Sequence, residues 1–437
     1  MLLDRSGAGW FFVGDRRIME QLDDIPRKVR TVSFSVADPA NREDVTSWDA
    51  FLAEASEPAP VQHPDPEDLA TIRFTSGTTG EPKGVMFTYA QLAWMGEVMT
   101  NLLPWNERNR AMRYLSFLPL SHVVEGILAA YAPYYMLAKA DFYYLNDFGT
   151  LTDALPKVRP SVFFSVPRFY EKVWEIAAEN KVYKRWSGMK AGPARDLLAG
   201  ALRRGILKRA GLDECGQLIV GSAPVSEKLL RNFRELGIEI HNAYGQTEAP
   251  LITINRLGDN VIPTIGTPLP ETEVTVTPEG ELLVKGPQVM TGYYGIRTDC
   301  LENGVLRTGD LGLIHENGHI TLTGRKKEMI VTAYGKNISI PKSEERLKSI
   351  TGVTEAVLIG ENRPYCTALL WLQEGEEGIE EQIREMNEGL SHPEQVRKYR
   401  IISRPLSIQM GELTPNLKVK RRNVEEHFKD IIEEMYR

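Results

Sequence analysis

The 437-residue chain holds only three cysteines, Cys215, Cys300 and Cys366, and none stands at a spacing that suits metal ligation or a disulfide framework. A reducing, cytoplasmic setting is the expectation. Long apolar runs are scarce too. The longest, Gly126 to Ala138, is enclosed by Glu125 and Lys139 and falls well short of the roughly 20 residues a membrane span needs. At the start of the chain Asp4 and Arg5 sit too close to a short apolar stretch for a signal peptide. Positive charge is not in excess: a net charge of -7 argues against a dedicated nucleic-acid binder, whose surface must neutralise phosphates. No low-complexity tract interrupts the sequence.

What remains is a composition of 42% hydrophobic and 25% charged residues, that of a soluble globular protein. Its length exceeds one ordinary core, so two or more domains are expected, one of them larger. From Tyr114 to Asn180, strand-like and helix-like segments alternate in a βαβαβα order, which reads as a parallel sheet with covering helices. The unit returns at "LIV" (Leu218 to Val220), a helix from about Ser226 to Leu236, and "IEIH" (Ile238 to His241). Parallel strands joined by one helix put their following loops at the same sheet edge. "GSAP" (Gly221 to Pro224) and "NAYGQTE" (Asn242 to Glu248) should therefore face one crevice. Beyond Leu251, short alternating strands with glycine turns predict antiparallel hairpins. After Gly324 come "RKKE", a helix near Ser343 to Ser349, a strand pair and two charged helices. This tail reads as a small α+β domain, with Arg325 to Glu328 as the linker.

Several stretches carry chemistry, each with a plainer reading beside it. "FTSGTTGEPKGV" (Phe74 to Val85) lacks the GK-Ser/Thr of a Walker loop, because Gly84 follows Lys83 and strand continues after it. Backbone N-H groups, the hydroxyls of Ser76, Thr78 and Thr79 and the Lys83 ammonium could still wrap phosphate oxygens; the alternative is a surface hairpin. "YGQTE" is either a polar loop or a ligand site in which Tyr244 stacks on a base, Thr247 meets phosphate and Glu248 holds Mg²⁺ by a hard oxygen. "RTGD" (Arg307 to Asp310) offers a carboxylate to a ribose diol, or is a β-turn. "LKVKRR" (Leu417 to Arg422) taken alone is a solvated basic face or an anionic-membrane contact. His122 is either a satisfied buried histidine or a pocket residue.

Taken in order, "TSGTTGEPKG", "YGQTE", "RTGD", "GRKKE" and "LTPNLKVKRR" resemble the signature motifs of the adenylate-forming superfamily of acyl-CoA synthetases, luciferases and adenylation domains. The resemblance runs from about residue 10 to the end. "LPLSHVVE", "VRPSVFFSVPRFYEKVW" and "GELTPNLKVKRR" look like the long-chain fatty-acid CoA ligases within it. It implies an α/β fold: a large N-terminal domain, residues 1–326, with parallel α/β sheets and a β-barrel-like subdomain, and a small mobile α+β C-terminal domain, residues 327–437. The implied reaction joins a fatty acid to ATP as an acyl adenylate, releases pyrophosphate, and passes the acyl group to CoA.

The same resemblance implies roles for residues. Thr75, Ser76, Gly77, Thr78, Thr79, Gly80 and Lys83 wrap the β- and γ-phosphates, Thr247 meets the α-phosphate and Glu248 holds Mg²⁺. Gly221, Ser222 and Ala223, with Asn242, Ala243 and Tyr244 and the adjoining Gly245 and Gln246, form the adenine site. Asp310 and Arg325 hold the ribose. Lys418 is the adenylation lysine, His122 belongs with the catalytic group, and Lys327 is the hinge about which the small domain turns between half-reactions. Ala333, Tyr334, Gly335 and Lys336 lie on the CoA path, where a family glycine corresponds to Tyr334; either its ring obstructs the pantetheine arm, or it points outward or the tunnel is shifted. A lipid substrate makes peripheral contact with the inner membrane face an expectation. Only 74 residues precede Thr75, fewer than the family carries there; the expectation is either an incomplete frame or a shortened lineage with an exposed sheet edge. Two other functions stay open: acyl adenylation without CoA transfer, and a silent nucleotide-binding remnant.

Overall fold

The computed structural model describes residues 2–24, 29–34, 42–55, 60, 63–75, 82–102, 112–135, 139–373, 378–407, 409–413 and 419–437. Ser76, Gly77, Thr78, Thr79, Gly80 and Lys418 lie outside the described residues.

Uninterrupted apolar runs mark strands covered on both faces. Strands Val162–Ser165 and Gln217–Val220 each carry such a run of three, Val162 to Phe164 and Leu218 to Val220, and every residue of both is buried. Both pair in parallel, and Gln217–Val220 pairs in parallel with Ile240–Gln246 in the register Asn242 to Val220. Ala249–Ile254 and Thr267–Pro268 continue the sheet antiparallel. The connecting helix Glu227–Glu235 starts where the Ser226 side chain accepts from the Leu229 N-H, and it buries Leu229, Leu230 and Phe233. Three helices, Pro167–Glu179, Lys181–Ser187 and Pro193–Arg209, fill the other crossover, and Tyr170, Trp186 and Leu202 join Phe163 and Leu218 in one core.

The βαβαβα run is present, with one difference from a single sheet. Met112–Ser116 and Ala140–Tyr144 pair in parallel as a separate two-stranded sheet. Beside the third strand, the Arg113 N-H donates to the Ser161 hydroxyl at 3.2 Å, while the Ser161 N-H donates to the Arg113 carbonyl at 2.9 Å. The crossover between the first two strands holds a π-helical turn, Gly126–Tyr131, a feature that recurs at functional sites.

Leu69–Thr75 and Lys83–Thr88 form an antiparallel hairpin whose last pair is Thr75 with Lys83, and Gly292–Tyr293 pairs with the second strand, Tyr293 opposite Val85. Near the start of the chain, Trp10–Val13, Arg30–Ser33 and Val45–Ser47 make a small parallel sheet carrying a cluster of Trp10, Phe12, Phe34, Trp48 and Phe51. Between residues 273 and 325 the expected short strands form a sheet ordered Glu273–Val276, Glu281–Lys285, Val305–Ile314, Leu301–Glu302, with Ile320–Arg325 beside Val305–Ile314.

The chain divides into two compact units: Met1–Thr277 with Leu283–Thr308 and Ile314–Thr321, and Pro278–Leu282 with Gly309–Leu313 and Leu322–Arg437. In the second unit, Val353–Ile359 pairs antiparallel with Cys366–Leu372, which pairs in parallel with Val396–Ile401. That third strand was not expected from the sequence, because the charged "VRKYRI" carries no apolar alternation. Period-two alternation divides the sheet's faces. Ala356, Leu358, Ala368 and Leu370 pack under helices Ile340–Lys348 and Ile379–Glu388, while Val357, Ile359, Leu369 and Trp371 meet Val424, Phe428, Ile432 and Met435. Among the described residues no helix is long and apolar enough to cross a membrane.

Candidate active site

The parallel pairing of Gln217–Val220 with Ile240–Gln246 brings the two predicted loops together. A Cβ on Gly221 would fall 2.9 Å from the Ala243 carbonyl oxygen and 3.1 Å from the Phe164 ring, so only glycine lets the backbones approach this closely. The next residue, Ser222, is held at φ 64°, left-handed backbone of the kind that collects at functional sites in non-glycine residues. Ser222 and Ala223 are exposed, and Ala243 and Tyr244 are buried. The Asn242 amide donates to the Thr264 carbonyl at 3.3 Å.

"YGQTE" is a β-hairpin tip. Gln246 pairs with Ala249, leaving Thr247 and Glu248 as the turn, with an irregularity between Tyr244 and Gln246. Gly245 sits where a Cβ would collide with the Pro250 carbonyl at 2.2 Å. The tip is then fixed from outside. Met290 N-H donates to the Glu248 carbonyl at 2.8 Å, and the Tyr293 hydroxyl donates to Glu248 Oε1 at 2.6 Å. The ring of Tyr293 also faces Lys83, whose Nζ lies 4.9 Å from its centroid, within cation-π range. One tyrosine thus joins the lysine that ends the hydroxyl-rich loop to the carboxylate predicted for the metal. Burial, reinforced by Glu248, pushes the Tyr293 phenol well above its ordinary range and keeps it a donor. Sequence reasoning missed Tyr293; an aromatic pair between glycines in "GYYG" was its only signal.

The stretch "LPLSHVVE" is organised by a buried carboxylate. Glu125 accepts from the N-H groups of Phe117 and Leu118, each at 3.2 Å, and from the Tyr114 hydroxyl at 3.2 Å, and burial raises its pKa. His122 caps the turn Val123–Glu125, its Nδ1 accepting from the Val124 N-H at 3.3 Å. Burial, then the nearby Arg73 charge, lowers the His122 pKa and holds the imidazole neutral at pH 7. Arg73 is buried over the Tyr131 ring, and a Cβ on Gly126 would fall 1.9 Å from its guanidinium, which is why the π-helical turn begins with glycine.

Val123, Val124, Ile127 and Leu128 from this segment line an apolar cavity with Met112, Val162, Phe164, Ile219 and Leu251. The same cavity is lined by Ser222, Ala243, Tyr244 and Gly245. An apolar chamber therefore adjoins residues predicted for the nucleotide.

In the second compact unit, Asp310 and Arg325 meet, with Arg325 Nε 2.9 Å from Asp310 Oδ1 and the aspartate side chain almost fully buried. "RTGD" is not a β-turn: it lies inside the ten-residue strand Val305–Ile314, with Gly309 at φ 71° and its N-H donated to Glu281 Oε1. Glu281, which sequence reasoning also missed, accepts from Lys326 Nζ at 3.1 Å. Lys327 falls in the single turn Lys326–Glu328. Ala333, Tyr334, Gly335 and Lys336 form the tip of the hairpin Met329–Val331 and Asn337–Ser339, and Tyr334 is 75% exposed. Glu412, fully buried, is held by Arg404, the Ser407 N-H and His427 Nδ1, so it anchors the stretch just before residues 414–418.

Residues 1–294 match the AMP-binding enzyme family and residues 327–437 match the AMP-binding enzyme C-terminal domain. The long-chain-fatty-acid--CoA ligase FadD15 of Mycobacterium bovis is 31% identical, over 84% of this chain and 69% of that protein. Among solved structures, an ATP-bound RpMatB-BxBclM chimera superposes with a TM-score of 0.72 at 23% identity, covering 98% of this chain and 81% of the chimera. The o-succinylbenzoate CoA synthetase MenE of Bacillus subtilis, with its acyl-adenylate intermediate, gives a TM-score of 0.70 at 21% identity over 97% of this chain and 79% of MenE.

Proposed function

The chain belongs to the AMP-binding enzyme family, and on that premise we propose that it activates a long-chain fatty acid with ATP and transfers the acyl group to CoA. The observation that carries this reading is the apolar cavity whose lining includes Ser222, Ala243, Tyr244 and Gly245. An acyl chain lying in it would bring its carboxylate to the residues assigned to the nucleotide, which is the arrangement an in-line attack on the α-phosphate requires.

In this reading Lys83 and the Tyr293-held Glu248 flank the phosphates, and Thr247 on the same hairpin tip donates to the α-phosphate. Little covalent work falls to the protein, so positioning and charge neutralisation supply the catalysis. Asp310, buried and fixed by Arg325, offers its carboxylate to the ribose hydroxyls. Lys418 is the cation that meets carboxylate and phosphate as charge develops. Glu248 suits magnesium: a hard cation takes one or two carboxylate oxygens and completes its shell with water and substrate phosphate, and Tyr293 holds the Glu248 carboxylate through Oε1. Bound there, the ion would offset the charge of the leaving pyrophosphate. Lys327 is the hinge, and Ala333 to Lys336 lie on the CoA path.

Palmitate-dependent exchange of labelled pyrophosphate into ATP, followed by CoA consumption in the same preparation, tests the reading. Both are expected. Exchange without thioester would leave adenylation alone, and no exchange with any fatty acid would reject the assignment.

A further inference from the structure

Arg73 is buried, charged and without a counterion. It stands in the strand Leu69–Thr75, two residues ahead of Thr75, and its side chain reaches the segment that carries His122. Nη1 donates to the Leu120 carbonyl at 3.2 Å, the guanidinium lies 5.3 Å from the Tyr131 ring centroid, and it packs on Gly126 so closely that a Cβ there would collide with it. Tyr131 in turn donates its hydroxyl to Thr71 Oγ1 at 3.0 Å, from the same strand face as Arg73. Among the described residues no carboxylate pairs with Arg73, and its buried Nε has no acceptor. A guanidinium does not deprotonate in a protein, so its charge is permanent and acts on whatever titratable group lies beside it.

That group is His122. Its Nδ1 accepts from the Val124 N-H at 3.3 Å. A backbone N-H only donates, so the cap needs a bare Nδ1, which the neutral ring protonated at Nε2 supplies and the imidazolium cannot. Protonation of His122 would therefore open the cap of the turn Val123–Glu125. This turn and the π-helical turn after it supply Val123, Val124, Ile127 and Leu128 to the lining of the apolar cavity. Burial first, and then Arg73, disfavour the charged ring. Glu125 on the same turn would act in the opposite sense, but its carboxylate is engaged by the Tyr114 hydroxyl and the N-H groups of Phe117 and Leu118, while the Tyr131 hydroxyl is given to Thr71.

We propose that Arg73 is a positioning residue for the acyl site: its fixed charge keeps the His122 cap closed, and with it the cavity wall built by Val123, Val124, Ile127 and Leu128. The link to the acyl chain rests on the reading of that cavity given above; the cap does not. A guanidinium that only fills space would, when removed, loosen the turn equally at every pH. A charge acting on His122 predicts a loss confined to acidic pH, and one that lysine at the same position prevents.

Histidine-selective NMR of the whole chain, with the His122 resonance assigned by its absence in His122→Asn, reads the titration directly. In wild type His122 should titrate below the ordinary histidine value of about 6.5. Arg73→Gln, which keeps an amide donor but no charge, should move the titration to higher pH, and Arg73→Lys should leave it in place. In palmitate-dependent pyrophosphate exchange, the KM for palmitate of Arg73→Gln should exceed that of wild type about fivefold between the two titration midpoints, the size of effect that losing a helix cap brings. It should match wild type above both midpoints, with the KM for ATP unchanged throughout. An asparagine amide caps without titrating, so adding His122→Asn to Arg73→Gln should abolish the pH dependence. An ordinary His122 titration in wild type overturns the proposal even if no variant folds, as does a titration unmoved in Arg73→Gln or a palmitate KM raised equally at every pH. Absence of exchange in wild type would remove the acyl reading, and the NMR titration would still decide whether Arg73 holds the cap.

Discussion

Tyr293 donates its hydroxyl to Glu248 at 2.6 Å and presents its ring to Lys83 at 4.9 Å. Two strands and a hairpin tip meet to make this contact: Gly292–Tyr293 lies against Lys83–Thr88, while Glu248 tips the hairpin that leaves the parallel sheet. A hydrogen bond to a charged group contributes about 1.5–3 kcal/mol. Tyr293→Phe should therefore slow palmitate-dependent pyrophosphate exchange roughly tenfold or more and raise the magnesium concentration needed for half-maximal rate. Titrating magnesium in wild type and variant checks this; identical curves would remove Tyr293 from the site.

Lys418→Ala should lose ATP-dependent adenylation yet still form thioester from a supplied acyl adenylate. The two half-reactions are measured separately with palmitate and with palmitoyl adenylate. Unchanged adenylation would refute the assignment.

Gly245→Ala would drive a Cβ to 2.2 Å from the Pro250 carbonyl. Backbone must shift to relieve the collision, which typically costs on the order of 1–3 kcal/mol. The expected outcome is a lower melting temperature together with exchange activity far below what the loss of folded protein explains, because Thr247 and Glu248 move with the hairpin.

Arg404 and His427 hold the Glu412 carboxylate at about 2, below its ordinary 4.5. The folded form is the better acid, so this group's contribution to stability is complete above about pH 4.5 and is lost as pH falls toward 2. Acid unfolding followed by circular dichroism should show that loss, and Glu412→Gln should flatten it while lowering stability at neutral pH. A variant with the wild-type acid limb would reject the role.

Tyr334 stands 75% exposed at its hairpin tip, where the resemblance implies a glycine beside the pantetheine path. Tyr334→Gly should speed the CoA-dependent step and leave pyrophosphate exchange unchanged. An unaltered CoA-dependent rate would dismiss the obstruction.

Much of the fold was legible because it rests on local patterns. "VFFSV" and "LIV" read as covered strands and became Val162–Ser165 and Gln217–Val220. Val396–Ile401 was not legible, since "VRKYRI" earns its place by pairing with Cys366–Leu372 and not by its own apolar content. "RTGD" admitted a turn by composition, yet Gly309 accommodates its positive φ inside a long strand. Tyr293, Glu281 and Arg73 were missed for a shared reason: each acts through a partner remote in the chain, and side-chain type alone names no partner.

By itself the sequence determined the chemical inventory and its order: a hydroxyl-rich loop ending at Lys83, a carboxylate at Glu248, another at Asp310, and a βαβ unit that places two loops at one edge. Periodicity and residue type suffice for that, because they report local geometry and charge. Tertiary structure alone decided that Gly221 lies against Ala243, that Asp310 meets Arg325, and that Tyr293 spans from Lys83 to Glu248. Those contacts follow from strand register and sheet order, which depend on the simultaneous packing of segments far apart in the chain.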